Sequence, residues 1–238
     1  MSEKVINSGN LHLFAYTNEQ SCKNAIKGIV LEFHGLNWTG MVQQDTDVAK
    51  MYALSDILYV FPYCGPWSWM NDTAIKTVDE IIDVAIEKHK LDNNIPIIST
   101  GGSMGGLSSL VYTRYAKRTP NACAANCPVC DLPYHYTERE DLPRTLYHAF
   151  SHYNFDFEEA LKSASPLHLV GTMPDIPYYI VHGDADMAVN KGKHSDKFVS
   201  EMKKNHNIKY NEVHDMGHCN LQGENIEKYY DFILSFIK

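Results

Sequence analysis

Ile97-Ile98-Ser99-Thr100-Gly101-Gly102-Ser103-Met104-Gly105-Gly106 is the stretch in which a β-rich apolar run ends in glycines and a helix-like segment begins. Its centre, Gly101, Ser103 and Gly105, spells Gly-x-Ser-x-Gly. In a nucleophile elbow the serine sits on a strained strand-to-helix turn, and glycines on either side let the two backbones approach without Cβ clashes. The flanks agree with that reading. Residues 95–98 suit a buried strand, and Leu107, Leu110, Val111 and Tyr115 recur with a helical period, with Thr119-Pro120 as the expected stop. Other glycine loops fail on spacing: a dinucleotide fingerprint requires glycine where Ser103 stands, and a phosphate loop requires lysine where Leu107 stands.

Working outward, residues 28–33 form a strong strand pattern that runs into His34-Gly35-Leu36. A His-Gly pair after an early central strand is the expected place for half of an oxyanion hole, so the Leu36 N–H is one candidate donor and the Met104 N–H, directly after the serine, the other. The His34 imidazole is read as structural. Residues 4–16 suggest an edge strand or hairpin, 44–53 a helix, and 56–61 another strand. That strand leads into a Pro-Gly loop carrying Tyr63, Trp67 and Trp69, which suits a pocket wall at the carboxyl end of a sheet. An apolar stripe at Ile75, Val78, Ile81, Ile82, Ala85 and Ile86 predicts an amphipathic helix capped near Asn71, its acidic residues read as a solvated face. Strand and helix alternate throughout, which implies a mostly parallel central sheet with helices on both faces.

After a strand expected at 122–129, the segment 131–165 is rich in aromatics, among them Tyr134, and reads as a cap insertion that shapes the pocket of a single domain spanning 1–238. Residues 177–181 predict a strand, and the acid belongs in the loop beyond it: Asp186 is preferred, Asp184 the alternative. A helix at 193–204 and a strand at 208–213 then lead to His218, with His214 as its competitor for the base, and a helix at 225–237 closes the chain. The order Ser103, Asp186, His218 is nucleophile, acid, base. A serine hydroxyl is a weak nucleophile near neutral pH, so it needs an imidazole to take its proton and a carboxylate to fix that imidazole's tautomer.

Composition narrows the function further. The chain has 238 residues, 44% hydrophobic and 21% charged, enough for one substantial core. A net charge of -8 argues against nucleic acid or an anionic membrane as partner. No run approaches the about 20 apolar residues of a membrane span, and no apolar segment follows a basic start at the N-terminus, so the cytoplasm is the expected location. Six cysteines at 22, 64, 123, 127, 130 and 219 are too few for a disulfide scaffold, and Cys127-Pro128-Val129-Cys130 lacks the second pair that a structural zinc site requires. The expectation is therefore reduced thiols, no metal and no cofactor.

The segments 101–106, 182–189 and 216–218 resemble those of the α/β-hydrolase superfamily, within it the catalytic domain of the prolyl oligopeptidase family and its dienelactone-hydrolase-like and acetyl-xylan-esterase-like relatives. Ser165-Pro166-Leu167, shortly before the acid strand, strengthens that subgroup. The resemblance implies an α/β-hydrolase fold and a serine hydrolase acting on a small-molecule ester through an acyl-enzyme. A small-peptide or aminoacyl hydrolase is the alternative, and a non-catalytic binding protein on the same fold the third reading. Oligomeric state has no sequence signature here.

Overall fold

The computed structural model describes residues 5–237. Its strands are β1 (Ala15–Thr17), β2 (Gly28–Phe33), β3 (Ile57–Pro62), β4 (Ile97–Gly102), β5 (Ala122–Asn126), β6 (Tyr178–Gly183) and β7 (Ile208–Val213). They form one sheet in the order β1-β3-β2-β4-β5-β6-β7, parallel except where β1 pairs antiparallel with β3. The helices are α1 (Asp47–Leu54), α2 (Asp72–His89), α3 (Met104–Tyr115), α4 (Leu132–His135), α5 (Leu142–Phe150), α6 (Phe157–Ser163), α7 (Pro166–Leu169), α8 (Ser195–Met202) and α9 (Glu224–Leu234).

The central strands are apolar on both faces because both faces are covered. On one side Ile29, Leu31 and Phe33 pack with residues of α2 and α3; on the other Val30, Ile57 and Tyr59 pack with residues of α1 and α9. The edge strand β7 is only half-buried. From β2 the chain steps outward to β3, then crosses back to place β4 on the other side of β2. That reversal opens a crevice beyond the carboxyl ends of β2 and β4, the place where ligands bind in open α/β sheets.

Three local expectations are corrected. Helix α3 ends at Tyr115 rather than near Pro120, because Ala116 turns to an extended conformation (φ -53°, ψ 135°). The chain leaves the helix to meet α2: the Lys117 N–H donates to Asp79 (3.1 Å), and Lys117 and Arg118 pair with Asp83 (2.7 and 3.0 Å). The acidic residues of α2 are thus partly a docking face. Strand β5 stops at Asn126 rather than 129, since Cys127 adopts a left-handed φ of 45°. At the N-terminus Leu11–Leu13 forms a 3-10 turn before the short β1, and Lys4 of the expected edge strand lies outside the described residues.

The segment 131–165 holds α4, α5 and α6. It is tied to the α2 entrance by Trp69 Nε1 donating to Thr145 Oγ1 (3.1 Å), Asn71 Nδ2 to the Ala149 carbonyl (2.9 Å) and the Asp72 N–H to the Tyr153 hydroxyl (2.9 Å).

Candidate active site

Ser103 stands between β4 and α3 with φ 59° and ψ -123°, a conformation that an L-residue holds only where its surroundings impose it. The surroundings are close. A β-carbon on Gly105 would stand 2.1 Å from the Phe33 carbonyl oxygen, and one on Gly101 2.4 Å from the Gly105 oxygen, so β2, β4 and the first turn of α3 touch through backbone alone. Ser103 is pinned by its own N–H, which donates to the Asn126 carbonyl (2.9 Å). Met104 opens α3, and an N–H in a first helical turn has no partner within the helix. Its side chain is buried; Leu36, just past β2, faces the same cavity as Ser103.

On the other side of the crevice, His218 Nδ1 donates to Asp186 Oδ2 at 2.7 Å. The Asp186 side chain is fully buried and satisfied: Oδ1 accepts from the Ala188 and Val189 N–H groups (2.8 and 3.0 Å), and buried His182 sets Nε2 3.1 Å from Oδ2. Burial alone would raise the Asp186 pKa, but hydrogen bonds from His182, His218 and the two backbone amides outweigh it and hold the carboxyl far below the usual range. For His218, burial works against the charged ring, yet the hydrogen bonds and negative charge of Asp186 and of the neighbouring Cys127 sulfur raise its pKa to about 9. The two loops are joined at Gly183, where a β-carbon would fall 1.9 Å from the Met216 carbonyl oxygen. The competitors pair with each other instead: His214 Nδ1 lies 2.7 Å from Asp184 Oδ2, on an 84% exposed side chain that is absent from the cavity wall.

Ser103 and His218 line one cavity of about 650 Å³, with Leu36, Trp38, Phe61, Trp69, His135 and Val189 around them. Of the aromatics expected at the wall, only Trp69 is there. Tyr63, Trp67 and Tyr134 do not line this cavity: Trp67 Nε1 donates to Asn37 Oδ1 (2.6 Å), Tyr63 packs near the buried His34 ring (5.8 Å), and Tyr134 packs against His194 (5.5 Å). Their positions in the sequence gave no sign of which way each ring points. The wall is built instead by Trp38, next to the candidate oxyanion turn and 5.6 Å from Phe61, and by Glu32, a strand residue whose charge amid apolar neighbours was the available signal. Glu32 also borders a second cavity of about 340 Å³ beside Tyr52, Tyr229 and Tyr230, and burial raises its pKa to about 6 against a hydrogen bond from Tyr59.

Sequence reasoning also missed Cys127. Its sulfur accepts the Cys219 N–H (3.3 Å), and the Cys219 sulfur lies 3.8 Å from His218 Nε2.

Residues 68–238 match the prolyl oligopeptidase family. The chain belongs to that family. As a prolyl oligopeptidase family member it is a serine hydrolase on the α/β-hydrolase fold. The matched span contains Ser103, Asp186 and His218 and begins after Leu36. Among solved structures, the apo form of Thermogutta terrifontis esterase 2 is similar at 16% identity and a TM-score of 0.67, over 94% of this chain and 90% of that one. A Mycobacterium tuberculosis puromycin-hydrolyzing peptidase is similar at 17% identity and a TM-score of 0.72, over 90% of this chain and 34% of that one. A Pyrococcus horikoshii acylaminoacyl peptidase gives 12% identity and a TM-score of 0.70, over 90% and 37%. This chain therefore spans about a third of either peptidase. No curated protein matches it significantly. Among the described residues no helix is long and apolar enough to cross a membrane.

Proposed function

We infer that the protein is a carboxylesterase acting through an acyl-enzyme on Ser103, with His218 as general base and acid and Asp186 as its orienting carboxylate. The observation that carries this reading is the 2.7 Å bond from His218 to a fully buried Asp186, in a ring that shares its cavity with a serine on a strained elbow. With the ring in its neutral form, whose share grows as pH rises toward the His218 pKa of about 9, Nε2 takes the Ser103 proton as Oγ bonds to the ester carbonyl carbon. The oxyanion so formed accepts from the Met104 and Leu36 N–H groups, and Asp186 stabilises the imidazolium. Collapse breaks the bond to the alkoxide, which leaves with the proton from Nε2. Water then attacks the acyl-enzyme, gives its proton to the same nitrogen, and releases the acid as that proton returns to Ser103. Ester rather than amide chemistry is supported by a similarity to an esterase that extends over both chains almost entirely. Turnover of a short-chain acyl ester that falls at least about a thousandfold in Ser103→Ala supports the assignment; turnover that survives overturns it.

One observation favours the aminoacyl alternative. Glu32 sets a carboxylate at the wall of the same cavity, a group suited to a substrate ammonium. Glycyl and acetyl esters of one alcohol separate the two readings: a selective loss of the glycyl ester in Glu32→Gln, expressed in KM, supports an amine subsite, and equal effects on both esters leave the simple esterase.

A further inference from the structure

Three groups of metal-ligating side chains come together among the described residues outside the loop that bonds Asp186 to His182. In the first, His135, Glu138 and His194, the donor atoms are already in use: His194 Nδ1 accepts the Cys130 and Asp131 N–H groups (3.1 and 3.2 Å), while Nε2 and His135 Nδ1 both donate to Glu138 (2.9 and 2.6 Å). The second, Asp184, His214 and Asp215, lies on the exposed surface. The third has a different character. Cys127, His218 and Cys219 bring two sulfurs and a ring nitrogen within 4.8 Å of one another, with Cys127 buried and the other two half-buried.

We propose that Cys127, His218 and Cys219 form a site for a thiophilic divalent cation, Zn2+ foremost, and that an ion bound there switches the hydrolase off by occupying the nitrogen that serves as base. The regulatory half rests on the reading of His218 given above; the binding half does not.

The donor set is chemically suited to zinc. Two thiolates and one imidazole supply soft and borderline ligands, which favour Zn2+ over Mg2+ or Ca2+. Tetrahedral bonds of about 2.3 Å to sulfur and about 2.0 to 2.1 Å to nitrogen set neighbouring donors about 3.5 to 3.8 Å apart. His218 Nε2 and Cys219 Sγ already stand at 3.8 Å, and Cys127 Sγ is within 4.8 Å of Cys219 Sγ and of a His218 ring nitrogen. The carboxylate that would orient the ligating ring is also in place. A metal-ligating histidine commonly donates its other N–H to a carboxylate, and His218 Nδ1 does so to a buried Asp186 at 2.7 Å. The backbone N–H of Cys219 already points at the Cys127 sulfur (3.3 Å), as it would at a thiolate. Both cysteines hold left-handed backbone, φ 45° at Cys127 and 56° at Cys219, so their sulfurs converge at conformational cost.

The balance is simple. Each thiol gives its proton to solvent, the charged His218 ring gives up the proton on Nε2 while Nδ1 keeps its own toward Asp186, and the two thiolates and the neutral imidazole so formed bond to the ion. The Nε2 lone pair that would accept the Ser103 proton is then committed to the metal. His218 and Cys219 both line the cavity that also holds Ser103, which gives the ion its route and leaves a fourth position for water.

The test uses the intact protein, titrated first with Co2+ and then with Zn2+ under reducing conditions. One equivalent of Co2+ is expected to give intense thiolate-to-cobalt charge-transfer absorption that Zn2+ displaces. Apparent affinity is expected to fall at least about tenfold in Cys219→Ser and, as a second variant in case the first misfolds, in Cys127→Ala. Turnover of each protein with Zn2+ is divided by its own turnover with chelator, and this ratio is expected to be small for the wild type and near one for the variants. Absence of the thiolate bands, or unchanged affinity in both folded variants, overturns the site. Thiolate-bound metal with an unchanged turnover ratio overturns the switch. Should no turnover depend on Ser103 at all, the esterase reading fails, while the cobalt bands and the stoichiometry still decide the site.

Discussion

Ser103 holds a backbone conformation that glycine would adopt freely, φ 59° and ψ -123°, and gives its hydroxyl to the cavity in return. Strain of that kind costs on the order of 1 to 3 kcal/mol and persists where the surrounding packing over-determines it. Ser103→Gly should therefore abolish ester turnover and raise stability by about 1 kcal/mol in urea unfolding, the glycine's larger unfolded-state entropy taking back part of the relief. A variant as stable as the wild type or less so would mean that the elbow is unstrained. In the proposed mechanism Asp186 acts one residue away from chemistry, through the tautomer its bond to His218 Nδ1 imposes. Asp186→Asn should lower kcat by about 10^4 with little change in KM, read from steady-state kinetics; a loss in KM alone would assign Asp186 to binding. At this scale the sequence was legible where a backbone motif sets the local geometry, as at Gly101, Ser103 and Gly105. It was not legible for Tyr63, Trp67 and Tyr134, whose rings turn into packing contacts decided by tertiary neighbours.

Elements were legible where a period and a cap agreed. The stripe along α2 begins at Asn71, whose side chain accepts the Ala74 N–H (3.0 Å), as the capping pattern predicts. The same amide also donates to the Ala149 carbonyl at the end of α5 (2.9 Å), a contact that no local pattern announces. Asn71→Ala should then cost more than an ordinary cap, about 2 kcal/mol rather than about 1, and Asn71→Asp, which keeps the cap acceptor but has no donor for the α5 carbonyl, should cost only the excess of about 1 kcal/mol. Equal unfolding free energies for Asn71→Asp and wild type would show that the α2 cap carries the whole effect; equal values for Asn71→Asp and Asn71→Ala would place it in the tie to α5. Helix ends without such caps were less legible. α3 stops at Tyr115 because Asp79 and Asp83 of α2 draw residues 117 and 118 away, and those partners lie more than 30 residues upstream.

Across the molecule, the alternation of strand and helix announced a parallel sheet, and the reversal at β2 and β4 sets the crevice where it is. What alternation alone does not reveal is that Glu32, one pleat from the apolar Val30 and Phe33 positions, turns its carboxylate into the space between two cavities. Burial there raises its pKa from 4.5 to about 6, so the folded protein binds this proton more tightly than the unfolded chain does. Stability from this group is full below the unfolded value and is lost as pH rises through about 6. A shift of that size corresponds to on the order of 1 to 2 kcal/mol. Glu32→Gln keeps the shape and removes the titration. Its stability should match the wild type near about pH 4.5 and exceed it by about 1 kcal/mol near about pH 8, measured as the difference between paired urea unfolding curves. A difference that does not change with pH would mean that Glu32 is solvated in the folded protein. If instead the gap opens as expected and closes when a small primary ammonium compound is added to the wild type at the higher pH, the unfavourable carboxylate is being matched by a cation in the cavity, which is the interaction an aminoacyl substrate would make.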